Sequence, residues 1–362
     1  MSETELTAWG RDVRAALCPV CDWTYLLPAA ARLPRCPHCF GAELEPVAEE
    51  VMQLPYVSPP ELVLPFEVRP EELSQQVLRF AEGIPYPPED LNPQALQSRL
   101  QPVYLPAWLV DVDAVAHWQA EVGFDYEVLS HQEQYSDAGS WRSREVKETR
   151  IRWEPRVGRM QRHYDNLPAP ALERAAELTR DLGSYRVETA RPFSPNVVEH
   201  GLVRLPDRLA DDAWRDAEPL LQTAAADECR QAARAEHVRD FRWAPQLQGR
   251  HWTLLLQPLY TTFYHDDAGQ PQPVLIHGQT GKLSGVRRAS LKRAQRIALI
   301  LGGIAAAILL LSLVALVASV VLPPLAVVGA IGIVLGIILG GAALIPLVRV
   351  WAFNRKQVSG ES

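Results

Sequence analysis

Residues 297–348 read IALILGGIAAAILLLSLVALVASVVLPPLAVVGAIGIVLGIILGGAALIPLV, 52 residues without a charge, broken by Pro323-Pro324. A run this long and apolar exceeds any core element of a soluble domain. Its halves, 297–322 and 325–348, each pass the ~20 residues that a helix needs to cross a bilayer. Paired prolines cannot continue a helix, so the spacing predicts two transmembrane helices joined by a tight turn. One long bent helix or a re-entrant loop is the competing arrangement.

Charge outside the run sets orientation. Lys282, Arg287, Arg288, Lys292, Arg293 and Arg296 precede the first span, and Arg349, Arg355 and Lys356 follow the second. Cations on both flanks place both ends in the cytoplasm, making a multi-pass protein of the cytoplasmic membrane with N- and C-termini inside. Arg287, Arg288, Lys292, Arg293 and Arg296, in a juxtamembrane segment over 286–296, are candidates for anionic-lipid contact. Two other roles stay open for them: fixing orientation during insertion, or holding an acidic domain down by opposite charge. Gly332, Gly336 and Gly340 share one helix face at four-residue spacing, a surface for close helix packing. Their partner is either the first span, through Gly302, Gly303, Ala306 and Ala307, or a second helix in an oligomer. Neither span carries an ionisable residue, which argues against an ion pathway through one copy.

The chain has 362 residues, with 36 Lys+Arg against 43 Asp+Glu. Nine basic residues and one acidic lie in 282–362, leaving 27 basic against 42 acidic before them, a net near −15. A surface that acidic is a poor match for phosphate backbones, so nucleic acid is not the expected partner.

Four of the five cysteines fall in two pairs, Cys18-Pro-Val-Cys21 and Cys36-Pro-His-Cys39. No apolar leader precedes them, so the spacing points to metal rather than disulfides. Each pair sets two thiolates on one tight turn, and the intervening residues let the second turn fold back to close a tetrahedron about Zn²⁺. Cys18, Cys21, Cys36 and Cys39 are thus the predicted ligands of a zinc ribbon over 17–42, with His38 outside the coordination sphere. Residues 1–50 hold four arginines, no lysine and eight acids, which favours a protein-contacting or structural ribbon. A nucleic-acid-binding ribbon tethered at the membrane is the alternative. Cys229 reads as an ordinary buried thiol.

Between ribbon and membrane, residues 1–16 read as a polar tail, 43–61 as a proline-containing linker and 62–285 as a mixed α+β domain. Strand patterns occupy 103–128, 149–160, 252–265 and 274–277; helical ones occupy 70–83, 92–100, 170–182 and 206–241. Residues 349–362 read as a cytoplasmic tail. Leu105-Pro106-Ala107-Trp108 and Gln257-Pro258-Leu259-Tyr260 look weakly alike. Gly278-Gln279-Thr280-Gly281-Lys282 lacks the first glycine and the final hydroxyl of a phosphate loop, and reads as a turn. Asp111 and Asp113 share a strand face, but no catalytic constellation surrounds them, so no enzyme is expected.

The order of these features resembles a family of bacterial membrane proteins with an N-terminal TFIIB-type zinc ribbon, often labelled as primosomal-helicase relatives. The likeness rests on the cysteine pairs, Leu64-Pro65-Phe66, the run from Val103 through Leu105-Pro106-Ala107-Trp108 to Asp111, Leu255 through Tyr260, and Val274 through Gly285. The chain departs from it in having His277 where asparagine is usual and no glycine directly after Cys39. The resemblance implies a zinc ribbon, a C-terminal membrane segment and partners such as SPFH-domain or PspA-like membrane-stress proteins. It supplies no catalytic residues.

Overall fold

Alternation of β-branched and aromatic side chains with polar ones over 103–128 marks a strand that must bury one face and wet the other. In the computed structural model of the chain that strand is longer than its pattern. The structure describes residues 8–47, 56, 58–135, 141–175, 178 and 181–359. The strands are β1 (Val13–Leu17), β2 (Thr24–Pro28), β3 (Glu45–Pro46), β4 (Leu62–Val63), β5 (Gln101–Tyr135), β6 (Trp141–Pro170), β7 (Arg191–Pro192), β8 (Leu202–Arg204), β9 (His237–His265), β10 (Pro271–His277) and β11 (Leu283–Gly285). The α-helices are α1 (Leu73–Ala81), α2 (Pro93–Ser98), α3 (Val197–His200), α4 (Ala210–Ala232), α5 (Leu291–Ala318), α6 (Leu325–Ala342) and α7 (Ile345–Ser359).

One mixed sheet carries everything outside the apolar helices, in the order β11-β10-β9-β5-β8-β2-β1-β3. The centre is β5. One edge pairs with β9 from Gln101 to Gly123. The other pairs first with β8, at Val103 and Tyr104, and then with β6 from Ala107 onward. At ~3.3 Å per residue the 35 residues of β5 trace a path of ~110 Å. Register shifts near Val110–Asp113 and Gln119–Glu121 interrupt it, as bulges do. The two look-alike segments lie on adjacent antiparallel strands but meet only where Leu105 stands opposite Gln257; Pro106, Ala107 and Trp108 pair with Leu256, Leu255 and Leu254.

Helix α4 lies along this sheet with alanine, leucine and cysteine at four-residue steps. Ala213 and Ala217 pack with Trp108 and Val110, while Leu221, Ala225 and Cys229 pack with Val112, Ala114, Ala116 and Met160. Small residues at that spacing let the helix sit close to the strands. Cys229 is buried there, and desolvation pushes its thiol up to about 11, as suits an inert core thiol.

The structure revises several boundaries. Residues 1–16 are no tail throughout: Trp9 is buried and Val13–Leu17 is a strand. Part of 43–61 is structure rather than linker, since β3 pairs with β1 and Glu61 accepts a hydrogen bond from the Leu254 N–H; residues 48–55 and 57 lie outside those described. The helix expected over 206–241 stops at Ala232, and β9 begins at His237, where alanine-rich sequence gives way to alternation. Only Ala175 and Leu178 of the helix expected at 170–182 are described as helical; Pro170 ends β6, and residues 176–177 and 179–180 lie outside those described.

Among the described residues, two stretches are long and apolar enough to cross a membrane, Leu291–Ala318 and Leu325–Gln357. The second contains the expected span 325–348, and its regular helical hydrogen bonding is interrupted at Ala343–Leu344, between α6 and α7. Pro346 explains the break: within the first turn of α7 its missing N–H costs nothing, while continuing α6 through it would. Within the expected tail 349–362, residues 349–359 are helical and 360–362 lie outside those described. Helix α7 runs to Ser359 and buries Val350, with Leu347 and Phe353, against Tyr264, Val274 and Ala294.

Candidate metal centre and membrane collar

The four thiols converge. Each CxxC pair forms a tight turn, closed by Asp22 N–H to Cys18 O and Phe40 N–H to Cys36 O, at 2.9 and 3.1 Å. The residue after the second cysteine of each pair adopts a left-handed backbone, with φ of 57° at Asp22 and 53° at Phe40. Glycine takes that conformation freely; other residues are strained there by ~1–2 kcal/mol. Phe40 tolerates it because its ring is fully buried, 4.7 Å from the Phe263 ring. Core packing thus stands in for the glycine that the resemblance led one to expect.

Sulfur positions fit a tetrahedral ion. Cys18 and Cys39 Sγ are 3.5 Å apart, Cys21 and Cys36 Sγ 3.6 Å, and all four lie within 4.8 Å of one another. Four metal–sulfur bonds of ~2.3 Å require sulfurs ~3.8 Å apart. Without an ion the thiols share protons: Cys36 is drawn down to about 5, chiefly by its hydrogen bond with Cys21 and then by backbone N–H groups of Cys39 and His38, while Cys21 is pushed up. With all four protein positions filled, such a site leaves no open coordination position.

Its surroundings were not legible in the cysteine spacing. His38 stacks on Trp23 at 3.8 Å and 6° between planes, and the Arg204 guanidinium lies 4.7 Å from the Trp23 ring. Arg204 is 3% exposed; it donates to the carbonyls of Thr24 and Leu205 and pairs with Asp207 at 2.8 Å. The Arg204 charge also interacts with Cys21 and Cys36, so with a divalent ion bound it would offset part of the −2 left on four thiolates. Since Arg204 ends β8, and β8 pairs with both β2 and β5, the cysteine unit is an edge of the central sheet. It is not the independent ribbon of 17–42: Cys18, Cys36 and Leu44 share a core with Val103, Leu105 and Leu259.

At the start of the first apolar helix, the β9–β10 turn caps α5. Ser290 Oγ accepts from Arg293 N–H and donates to Asp267, whose other carboxylate oxygen accepts the Lys292 N–H at 2.9 Å. An anion at a helix N-terminus is stabilised by the unpaired N–H groups and the macrodipole. Four of the five collar cations have protein partners: Arg287 donates to the Glu82 carbonyl, Arg288 approaches Asp266 at 3.8 Å, Arg293 donates to the Pro87 carbonyl, and Arg296 pairs with Glu89 at 2.9 Å. Lipid contact alone does not describe them; opposite-charge docking has its acids here.

The glycine face packs inward, on the first span. A Cβ at Gly336 would stand 2.6 Å from Leu309, one at Gly332 would run into Ser312, and one at Gly340 would touch Ala305 at 3.9 Å. Gly329 belongs to the same seam, 2.7 Å from Leu316 in the same sense. The receiving residues are Ala305, Leu309, Ser312 and Leu316, not Gly302 and Gly303, which have open space beside them.

The remaining polar candidates are dispersed. Asp111 accepts the Asn166 N–H, and Asp113 meets His163 at 2.9 Å on an exposed strand surface. His277 is buried in the 277–282 turn, where its Nδ1 accepts the N–H groups of Gln279 and Thr280 and its ring stacks on Tyr185 at 3.9 Å. The imidazole thus holds the turn from inside. No protein-family model, curated protein or solved structure matches the chain.

Proposed function

We propose that this protein is a membrane-anchored adaptor, its Cys18–Cys21–Cys36–Cys39 centre loaded with Zn²⁺ and its sheet displayed on the cytoplasmic side of a helical hairpin. One observation carries the reading: the structural connection from the four thiols to the first apolar helix is continuous. It passes through β2, β8, β5, β9 and β10 by backbone pairing, and from the β9–β10 turn to α5 through Asp267. A partner held at the cysteine edge is therefore held at a fixed place relative to the bilayer. The cation-flanked spans support an inside location for both termini. The resemblance suggests SPFH-domain or PspA-like membrane-stress proteins as the partner class. Oligomerisation through the glycine face has less to rest on, because that face is occupied within the chain.

The test is affinity purification of the intact chain from native membranes beside a Cys36→Ser variant, with metal analysis of both. The adaptor reading expects one zinc per chain and a partner recovered only with the loaded protein. Zinc-free protein that keeps the same partners would defeat it, and salt-sensitive recovery of DNA would turn it toward the nucleic-acid alternative. Single cysteines introduced at Ser2 and Ser362 should resist a membrane-impermeant thiol reagent in intact cells; labelling of either overturns the orientation.

A further inference from the structure

A cavity of about 470 Å³ opens where α1, β11, the β11–α5 connection and α7 meet. Arg79 and Gln76 come from α1, Lys282 and Ser284 from the turn and strand, Arg287 from the connection and Gln357 from α7. Three cations face one acid, Asp181, in a domain that is otherwise strongly acidic. Arg287 is set in place by the Glu82 carbonyl and lies 5.8 Å from the Phe80 ring, yet its Nε–H is buried and meets no acceptor among the described residues. A buried donor without an acceptor costs ~1–3 kcal/mol, so the arrangement is incomplete as it stands. A neighbouring cavity of about 390 Å³ shares Asp181, Ser284, Gly285 and Gln357 and extends to His38 beside the metal centre.

We infer that this cavity is a binding site for a phosphate ester, its phosphoryl oxygens taken by Arg79, Lys282 and Arg287 and its alcohol portion lying toward Asp181 and Ser284. Guanidinium groups suit phosphoryl oxygens because their donors are planar and permanently charged, and an exposed lysine adds a mobile point charge. Asp181 repels a second phosphate on that side and accepts hydrogen bonds from hydroxyl or ammonium donors, so monophosphates are favoured. Two sources supply this chemistry: a soluble phosphate ester, or a lipid headgroup, since Arg287 lies four residues before α5 begins at Leu291. The inference stands apart from the adaptor reading, because neither the metal nor a protein partner enters it.

The experiment uses the full chain in nanodiscs of phosphatidylcholine, titrated with glycerol 3-phosphate and followed by calorimetry, and in a second arm nanodiscs containing phosphatidylglycerol, followed by thermal midpoint. Saturable binding of the soluble ester, weakened tenfold or more in Arg79→Gln/Lys282→Gln, identifies a soluble ligand. A rise in midpoint with phosphatidylglycerol alone, abolished by the same exposed-residue variant, identifies the headgroup. Arg159→Gln, on distant β6, should change neither. Absence of both signals, or signals indifferent to the double variant, overturns the site.

Discussion

The two ends of β5 are held by different physics. At its base, Val103, Tyr104, Leu105, Trp108, Leu109 and Val110 are buried, flanked by β8 and then β6 on one edge and by β9 on the other. Beyond Gly123 the β9 pairing ends, and β5 continues with β6 alone as a two-stranded arm. Exposed ion pairs lie along it, Glu127 with Lys147 at 3.0 Å and Glu148 with Arg150. Leu129 is 61% exposed. Apolar burial of ~25 cal/mol per Å² anchors the base, whereas exposed ion pairs contribute ~0–1 kcal/mol each. The arm's charges also do what edge charges do elsewhere, discouraging another strand from pairing with β6. One continuous strand thus joins a rigid half to a half that opens locally at little cost.

The largest effect that sharpens the contrast comes from the metal. Chelation, or Cys36→Ser, removes a binding free energy of ~10 kcal/mol scale, and because β1, β2 and β8 share cores with β5 the loss should spread into the base. Hydrogen exchange should accelerate at Leu26, Val203 and Val103 and stay unchanged at Glu127; protection retained at Val103 would restore the independent ribbon. Next is Leu109→Ala, which opens a cavity between Leu64 and Leu255 and should cost ~2–5 kcal/mol in denaturant unfolding. A loss below ~1 kcal/mol would mean the base is not the well-packed half.

Acid should act where the sheet meets α2, at Asp90, Arg99 and His265. Arg99, hydrogen-bonded at 2.6 Å, holds the Asp90 carboxyl at about 2 against its usual 3.8, with the His265 N–H assisting. A depressed carboxylate contributes stability above its unfolded value and loses it as pH falls from about 4 to about 2. With part of the pair solvated, the contribution is ~1 kcal/mol. Thermal midpoints of Asp90→Asn and the parent should therefore converge across that window; a constant gap down to pH 2 contradicts it. Asp22→Gly relieves the left-handed strain without a core to lose, and the midpoint should rise by the equivalent of up to ~1 kcal/mol; a fall would show that Asp22 does more than turn the chain. Smallest of all, Glu127→Gln on the arm should change stability by less than ~0.5 kcal/mol and lose even that in high salt. A larger, salt-resistant loss would erase the distinction between base and arm.

Local patterns were readable because their causes are local. CxxC spacing fixes thiolates on turns whatever surrounds them, and an uncharged run long enough to span a bilayer needs no tertiary context. Strand type at 103–128 followed from alternation. The arm's full length did not, because charged residues at 141–156 follow no apolar period and extend as strand only through pairing with β5. Arg204 gave no signal as an isolated arginine; its place beneath the thiolates depends on β8 lying beside β2, 180 residues apart in the chain. Pro346 is a local helix-breaking signal, but it sits inside an apolar run whose length alone reads as one span.

By itself, then, the sequence determined that four thiols gather within 22 residues and that two apolar helices end the chain, both consequences of covalent spacing and hydrophobicity. Only the tertiary structure decided that the thiol unit is an edge of the central sheet, that Asp267 caps the first apolar helix and that the last helix docks on the same core. Those contacts join residues tens to hundreds of positions apart, and which partners meet is set by how the sheet closes its hydrogen bonds and buries its two faces, a property of the whole chain that no single stretch carries.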